Sequence, residues 1–348
     1  MAWRSAFEWL PRVRNLEIIF NTTSWGRRRV PEDISADFSL EIVTALFGTQ
    51  ATDTRKRLTL RSLQVMGLDL TKAAQLLCQA VDHTQLLALG LQQCKNTTAM
   101  LHALNPKTRV GGLKLRSLVL TGALRSEIFN DVLCSFDTLE YLVVRIPEKV
   151  EFRPDFKCLL PHATTLRFLY LDYAKLITRN SSERTFQIHL DTKTTFSDCV
   201  KLEQLAIRPH FAPWQLLDVL GQDIWYALKA LPALRSLRFL NYAEDPDTHW
   251  PEVITLLDLP SHTTNVFTEV PKLRALSLGT AAEDPWIDGD DEFHPPYYTR
   301  GCLIDTCGRE QTMALERELE DMVDYEPCSE ILSLDIKPSQ LLRYGYKP

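Results

Sequence analysis

The sequence predicts an α/β solenoid: a curved parallel sheet on the concave side, helices on the convex side, and about ten irregular repeats. Two observations predict it. A strand pattern, L-x-x-L-x-L, recurs with leading residues at 13, 60, 86, 115, 139, 166, 202, 234, 273 and 331. Between most occurrences lie a polar turn and a segment with apolar residues at helical spacing. The stretch Leu115–Val144 shows one unit whole: Leu115, Leu118 and Leu120 lead in, a polar turn and an apolar helix follow, and Leu139, Leu142 and Val144 repeat the pattern.

The spacing dictates the architecture. Alternate side chains of a strand face the same way, so the residues at positions 4 and 6 of each unit point inward together. One unit cannot bury that apolar face alone, but stacked neighbours form a continuous core. Helices take more room than strands, so the stack should curve. The intervals are 47, 26, 29, 24, 27, 36, 32, 39 and 58 residues. The central ones fall in the roughly 20–29 residues of a leucine-rich repeat, and the long ones require insertions. A doubly wound sheet would want near-continuous Val/Ile strands and a glycine-rich first turn; neither is present.

In order, residues 1–280 read as the repeat array. The apolar segment Ala6–Leu10 stops at Pro11 and looks like the tail of a preceding unit, too short to cap the stack, so either an earlier portion is expected upstream or the partner surface begins there. Val13–Ile18 is the first strand, and 21–37 is a polar insertion. It carries Arg27, Arg28 and Arg29, read as a solvated loop. Phe38–Phe47 is helical. Leu60, Leu63 and Val65 make the next strand, and Leu70–Val81 the next helix, with Thr71 as its N-cap. Leu86, Leu89 and Leu91 follow. Asn96 caps a helix running to His102 or Leu104, and Ser126 caps a helix over Glu127–Phe136. Further strands begin at Leu166, Leu202, Leu234 and Leu273. Residues 281–330 break the pattern with an acidic, Pro-containing insertion (Asp284, Asp288, Asp290, Asp291, Glu292) and a charged helix over Arg309–Val323. Residues 331–348 hold the last strand, Ile331–Ile336, and a C-terminal cap.

These residues reach a family. LRSLQV, LRSLVL, LEYLVV, LRFLYL, LEQLAI, LRSLRF and LRALSL resemble leucine-rich repeats of the cysteine-containing, irregular kind. With the insertion WGRRRVPED and the acidic Trp/Pro-rich tail, the chain is similar to fungal F-box-associated leucine-rich-repeat proteins. The consensus Asn or Cys after the third leucine is mostly absent, and no F-box is recognisable. The resemblance implies a substrate-recognition role in ubiquitin ligation, with a cullin-adaptor complex as partner if an F-box is supplied upstream. The alternative is a plain repeat scaffold, or a degenerate fragment, without that role.

Composition narrows the function classes. The net charge of −6 argues against a general nucleic-acid or anionic-membrane binder. No apolar run approaches the ~18–20 residues that span a bilayer, and the N-terminus lacks a signal-peptide core. The reading is cytoplasmic or nuclear. The eight cysteines are then thiols, with Cys78 and Cys134 inside apolar helical segments, and the sequons at Asn21, Asn96 and Asn180 are unused. His294, Cys302, Cys307 and Cys328 are the best metal candidates, but their spacing is loose, so no metal and no cofactor are expected. G-x-S-x-G, H-E-x-x-H, the P-loop and G-x-G-x-x-G are missing, and the expectation is a non-enzymatic protein-binding module. The face between the leucines is the place to look for a partner. Its centre carries Tyr141, Phe168 and Tyr170, flanked by Arg145, Arg208 and Arg238, the residue types of interface anchors.

Overall fold

A computed structural model describes residues 13–20, 34–52, 57–104, 112–146, 152, 154–173, 198–207, 227–240, 259–278 and 297–317. The protein is α/β. Its described residues fall into two compact units, one reaching to Thr165 and including Tyr173, the other holding Leu166–Asp172 and everything from 198 onward.

In the first unit strands and helices alternate: β1 Asn15–Ile19, α1 Ala36–Thr52, β2 Ser62–Met66, α2 Leu70–Ala80, β3 Ala88–Gln92, α3 Thr97–Leu104, β4 Ser117–Thr121, α4 Ser126–Leu133 and β5 Tyr141–Ile146. A 3₁₀ helix, Phe156–His162, follows. Each strand pairs in parallel with the next, so that Leu63, Leu89, Leu118 and Leu142 form one lateral row and Val65, Leu91, Leu120 and Val144 another. Every member of both rows is at most 1% exposed. Burying such a side chain contributes about 1.5–3 kcal/mol. Each helix packs against the next along the row of helices.

The second unit starts with β6, Phe168–Tyr173 (all but its last residue), continues through β7 Gln204–Ile207, β8 Ser236–Phe239, α5 Leu259–Glu269 and β9 Ala275–Leu278, and ends in β10 Tyr297–Ile304 and β11 Glu310–Arg317. The strands β6 to β9 pair in parallel, with Leu169, Leu205, Leu237 and Leu276 in one row. The strand β10 then runs antiparallel to β9, and β11 antiparallel to β10.

One main-chain device repeats through both units. The carbonyl of the second residue of a unit accepts the N–H groups of the second and third residues of the next. Arg14 O takes Arg61 and Ser62, Arg61 O takes Leu87 and Ala88, Leu87 O takes Arg116 and Ser117, and Arg116 O takes Glu140 and Tyr141, at 2.6–3.1 Å. In the second unit Arg167 O, Glu203 O and Arg235 O do the same. At the other strand end, the N–H of the eighth residue (Phe20, Gly67, Gln93, Gly122) reaches the seventh-residue carbonyl of the next unit (Met66, Gln92, Thr121, Arg145) at 3.0 Å each. Gly67, Gln93 and Gly122 all take positive φ there.

Nine of the ten expected strands are found, each beginning two residues after its leading residue, which is buried in the preceding turn at every unit from Leu60 to Leu273. Several local expectations are corrected. Asp69, not Thr71, caps α2: its carboxylate accepts the Thr71 N–H at 2.9 Å. Ser126 is already helical, and Arg125 precedes it without a side-chain cap bond. Cys134 sits exposed at the end of α4 rather than buried. The charged helix over Arg309–Val323 does not form where it is described. Glu310–Arg317 is a strand instead, because the β10 ladder opposite it supplies long-range hydrogen bonds that outweigh local helix propensity. The acidic stretch 281–296, most of the 21–37 insertion, Ala6–Leu10 and the strand at Ile331–Ile336 lie outside the described residues.

Candidate functional site

The third and fifth residues of each unit stand on the sheet face opposite the leucine rows, because side chains alternate along a strand. Sequence reading makes this face a solvated binding surface. The structure corrects that for most of it. In the first unit, Gln64, Ala88, Ser117, Val119 and Val143 are all buried. Tyr141 is half-buried, and Arg145, near the end of β5, is exposed. In the second unit Phe168, Tyr170 and Arg238 are 1%, 5% and 0% exposed, and Asp172, Gln204, Ser236 and Ser277 are buried beside them. Both faces of these parallel strands are therefore covered, as is usual for parallel sheets. Arg208 lies outside the described residues.

The candidate residues thus separate. Tyr141 and Arg145 belong to the first unit, while Phe168, Tyr170 and Arg238 belong to the second. Within the second unit, register places Tyr170, Ala206, Arg238, Ser277 and Tyr297 in one lateral row. A fully buried guanidinium needs a partner, and that of Arg238 is engaged. Sequence reasoning missed how polar this covered face is. The side-chain oxygens of Ser117, Ser236 and Ser277 and the Gln64 amide nitrogen are buried without a hydrogen-bond partner, at a cost of about 1–3 kcal/mol each. The only signal was the run of small polar residues between the leucines.

The titratable groups that are buried serve the fold. His162 is fully buried; its Nδ1 accepts the Leu139 N–H at 3.4 Å and its Nε2 faces the Leu133 carbonyl at 3.0 Å. The neutral ring with its proton on Nε2 fits both contacts. Burial pushes its pKa down to about 4, against the opposing pull of the Leu133 carbonyl and Asp137. Burial pushes the Cys94 thiol up to about 11. Its Sγ donates to the Val65 and Gln92 carbonyls at 3.4 Å, tying adjacent turns. Burial raises the Cys158 and Cys199 thiols as well, and none of the three is a ready nucleophile. Cys302 and Cys307 lie exposed on β10 and its turn. His294 and Cys328 fall outside the described residues. Among the described residues no group of three His, Cys, Asp or Glu side chains could hold a metal ion, and no helix is long and apolar enough to cross a membrane.

A second site escaped the sequence reading: the residue after each leading leucine. At this position Arg116 holds Glu140 through Nε at 2.7 Å and through Nη2, and Arg167 holds Glu203 at 3.0–3.3 Å. Arg235 and Arg274 occupy the same position on neighbouring strands. The recurring L-R of the motif was the available signal.

No family model matches the chain, and no curated protein is significantly similar to it.

Proposed function

We propose that the chain is a leucine-rich-repeat solenoid that binds another protein without catalysing a reaction. The observation that carries this reading is the main-chain rung, in which the second-residue carbonyl of one unit accepts two N–H groups of the next, at seven junctions. Such indexing fits stacked repeats, and stacked repeats present extended surfaces to partners. The described histidines and thiols, engaged in packing or dispersed, support a binding role over a chemical one.

On this reading Tyr141 and Arg145 are the accessible anchors of the face between the leucines in the first unit, while Phe168, Tyr170 and Arg238 lie buried in the second. Arg208 completes the set proposed from the sequence. The resemblance to F-box-associated repeat proteins extends the proposal to substrate recognition in a ubiquitin ligase, through a cullin-adaptor complex, in the cytoplasm or nucleus. Affinity capture of the tagged chain from native lysate tests both levels. Stoichiometric cullin-adaptor components support the ligase role, whereas a specific partner without them leaves a plain scaffold. Tyr141→Ala and Arg145→Glu are expected to weaken capture with the fold intact. Unchanged capture in both variants would remove this face from the proposal.

A further inference from the structure

The second residue of each unit joins the main-chain rung, so side chains at this position in neighbouring strands stand about 4.8 Å apart. Across β6 to β9 they are Arg167, Glu203, Arg235 and Arg274. At the same position in two junctions, one in each unit, this closeness is used to pair opposite charges, Arg116 with Glu140 and Arg167 with Glu203. At the last parallel junction the pairing fails: two exposed arginines stand side by side, and neither guanidinium bonds or pairs with another described residue.

The described residues around them do not neutralise them. The turns at this strand edge of the second unit also carry Lys201, Lys229 and Lys272. Among the described residues, the second-residue positions and turns of this edge carry six basic side chains and three acidic ones, and the β10 hairpin beside them adds Arg300 (its N–H bonds the Arg274 carbonyl), Glu310 and the Asp305–Arg309 pair. Glu203 is held by Arg167, Glu269 by Lys229, and Asp198 sits one turn away, before β7. This is an electropositive edge on a chain of net charge −6. We propose that Arg235 and Arg274, supported by Lys201, form a docking site for an acidic peptide segment of a protein partner. The proposal rests on the protein-binding reading above and names the partner's chemistry. Side chains on one face of an extended peptide recur every second residue, about 6.6 Å apart, a spacing that two neighbouring guanidinium forks can meet. Each fork can clasp a carboxylate bidentately. A long polyanion such as nucleic acid would meet the repulsion of the whole chain, whereas a short acidic segment would feel mainly this edge.

The test is fluorescence anisotropy of the intact chain with a fluorescein-labelled ten-residue peptide of alternating Glu and Ser. Saturable binding is expected, weakening steeply with salt and at least tenfold in Arg235→Glu/Arg274→Glu. Lys114→Glu, an exposed charge reversal in the first unit, is expected to stay within about twofold of the parent protein. Thermal midpoints of the double variant should hold, since neither guanidinium bonds another described residue. No saturable binding, an equal loss in Lys114→Glu, a lowered midpoint accompanying the loss, or tighter binding of a single-stranded RNA of equal charge would each overturn the proposal. If the peptide binds but no partner is captured from lysate, the broader protein-binding reading fails on its own. If partner capture survives the double variant, the docking site fails on its own.

Discussion

Gly67 and Gly308 hold nearly the same backbone torsion, φ +74° and +76°, in opposite surroundings. Gly67 follows β2 inside the repeating rungs, and a Cβ there would come within 2.5 Å of the Phe20 carbonyl oxygen. Gly308 closes the turn between β10 and β11, and a Cβ there would meet nothing within 4 Å. The rungs press backbone against backbone, unit after unit. The hairpin folds back through its own ladder and one carboxylate: Asp305 accepts the Cys307 and Arg309 N–H groups and the Arg309 side chain, each at 2.8 Å. Stability should therefore concentrate in the rungs and thin out toward the hairpin tip, where Leu303 and Ile304 are 50% and 66% exposed.

Substitutions can break that contrast. Gly67→Ala should cost the most, about 2–5 kcal/mol, the sum of a left-handed penalty and an overpacked contact. Gly308→Ala should cost only the torsional part, about 1–2 kcal/mol. Equal losses in chemical denaturation would dissolve the distinction. Leu118→Ala, in the core row, should cost about 2–5 kcal/mol, against about 0.5 kcal/mol or less for Leu303→Ala at the tip.

Acid titration sharpens the same comparison. The folded chain holds His162 neutral down to about pH 4, whereas an exposed histidine in the unfolded chain protonates near 6.5. The unfolded state binds the extra proton in that window. Stability should thus be full above pH 6.5 and fall as pH drops toward 4, by at most about 1.4 kcal/mol per pH unit. His162→Gln should flatten this slope; an unchanged slope would assign it to other groups. Asp305 in the hairpin titrates elsewhere, because hydrogen bonds, chiefly from the Arg309 N–H, hold its carboxyl below the usual range. A comparably small effect is expected for Arg116→Ala. It breaks a largely exposed pair with Glu140 and should cost roughly 0.2–1 kcal/mol, shrinking further in high salt.

The rungs were legible in the sequence because they rest on a period. The leucines at positions 4 and 6 can only point one way once the strand is granted, and Leu118 and Leu120 are buried as that argument requires. The hairpin was not legible. EQTMALER carries good helix formers, and nothing local reveals that Tyr297–Ile304 will lie alongside it. The face between the leucines was half legible. Its residues were placed on the right side of the strands, but exposure is a property of whatever else the chain brings there, and Phe168, Tyr170 and Arg238 are buried. The unpaired Arg235 and Arg274 were visible as letters. Their adjacency depends on a strand register that only the fold supplies.

The rungs also set how this chain tolerates change in length. From β1 to β4 they fix eight residues of each repeat by main-chain bonds at both ends of the strand and leave the connecting stretch uncounted. A repeat of 24 residues, from Leu115, and one of 36 residues, from Leu166, each keep their parallel pairing to the next strand. A residue inserted between Leu115 and Gly122 would turn every later side chain of that strand to the wrong face. The same residue inserted in a connector would alter only a loop. Evolution can therefore lengthen the connectors between strands while the register of the ladder stays fixed.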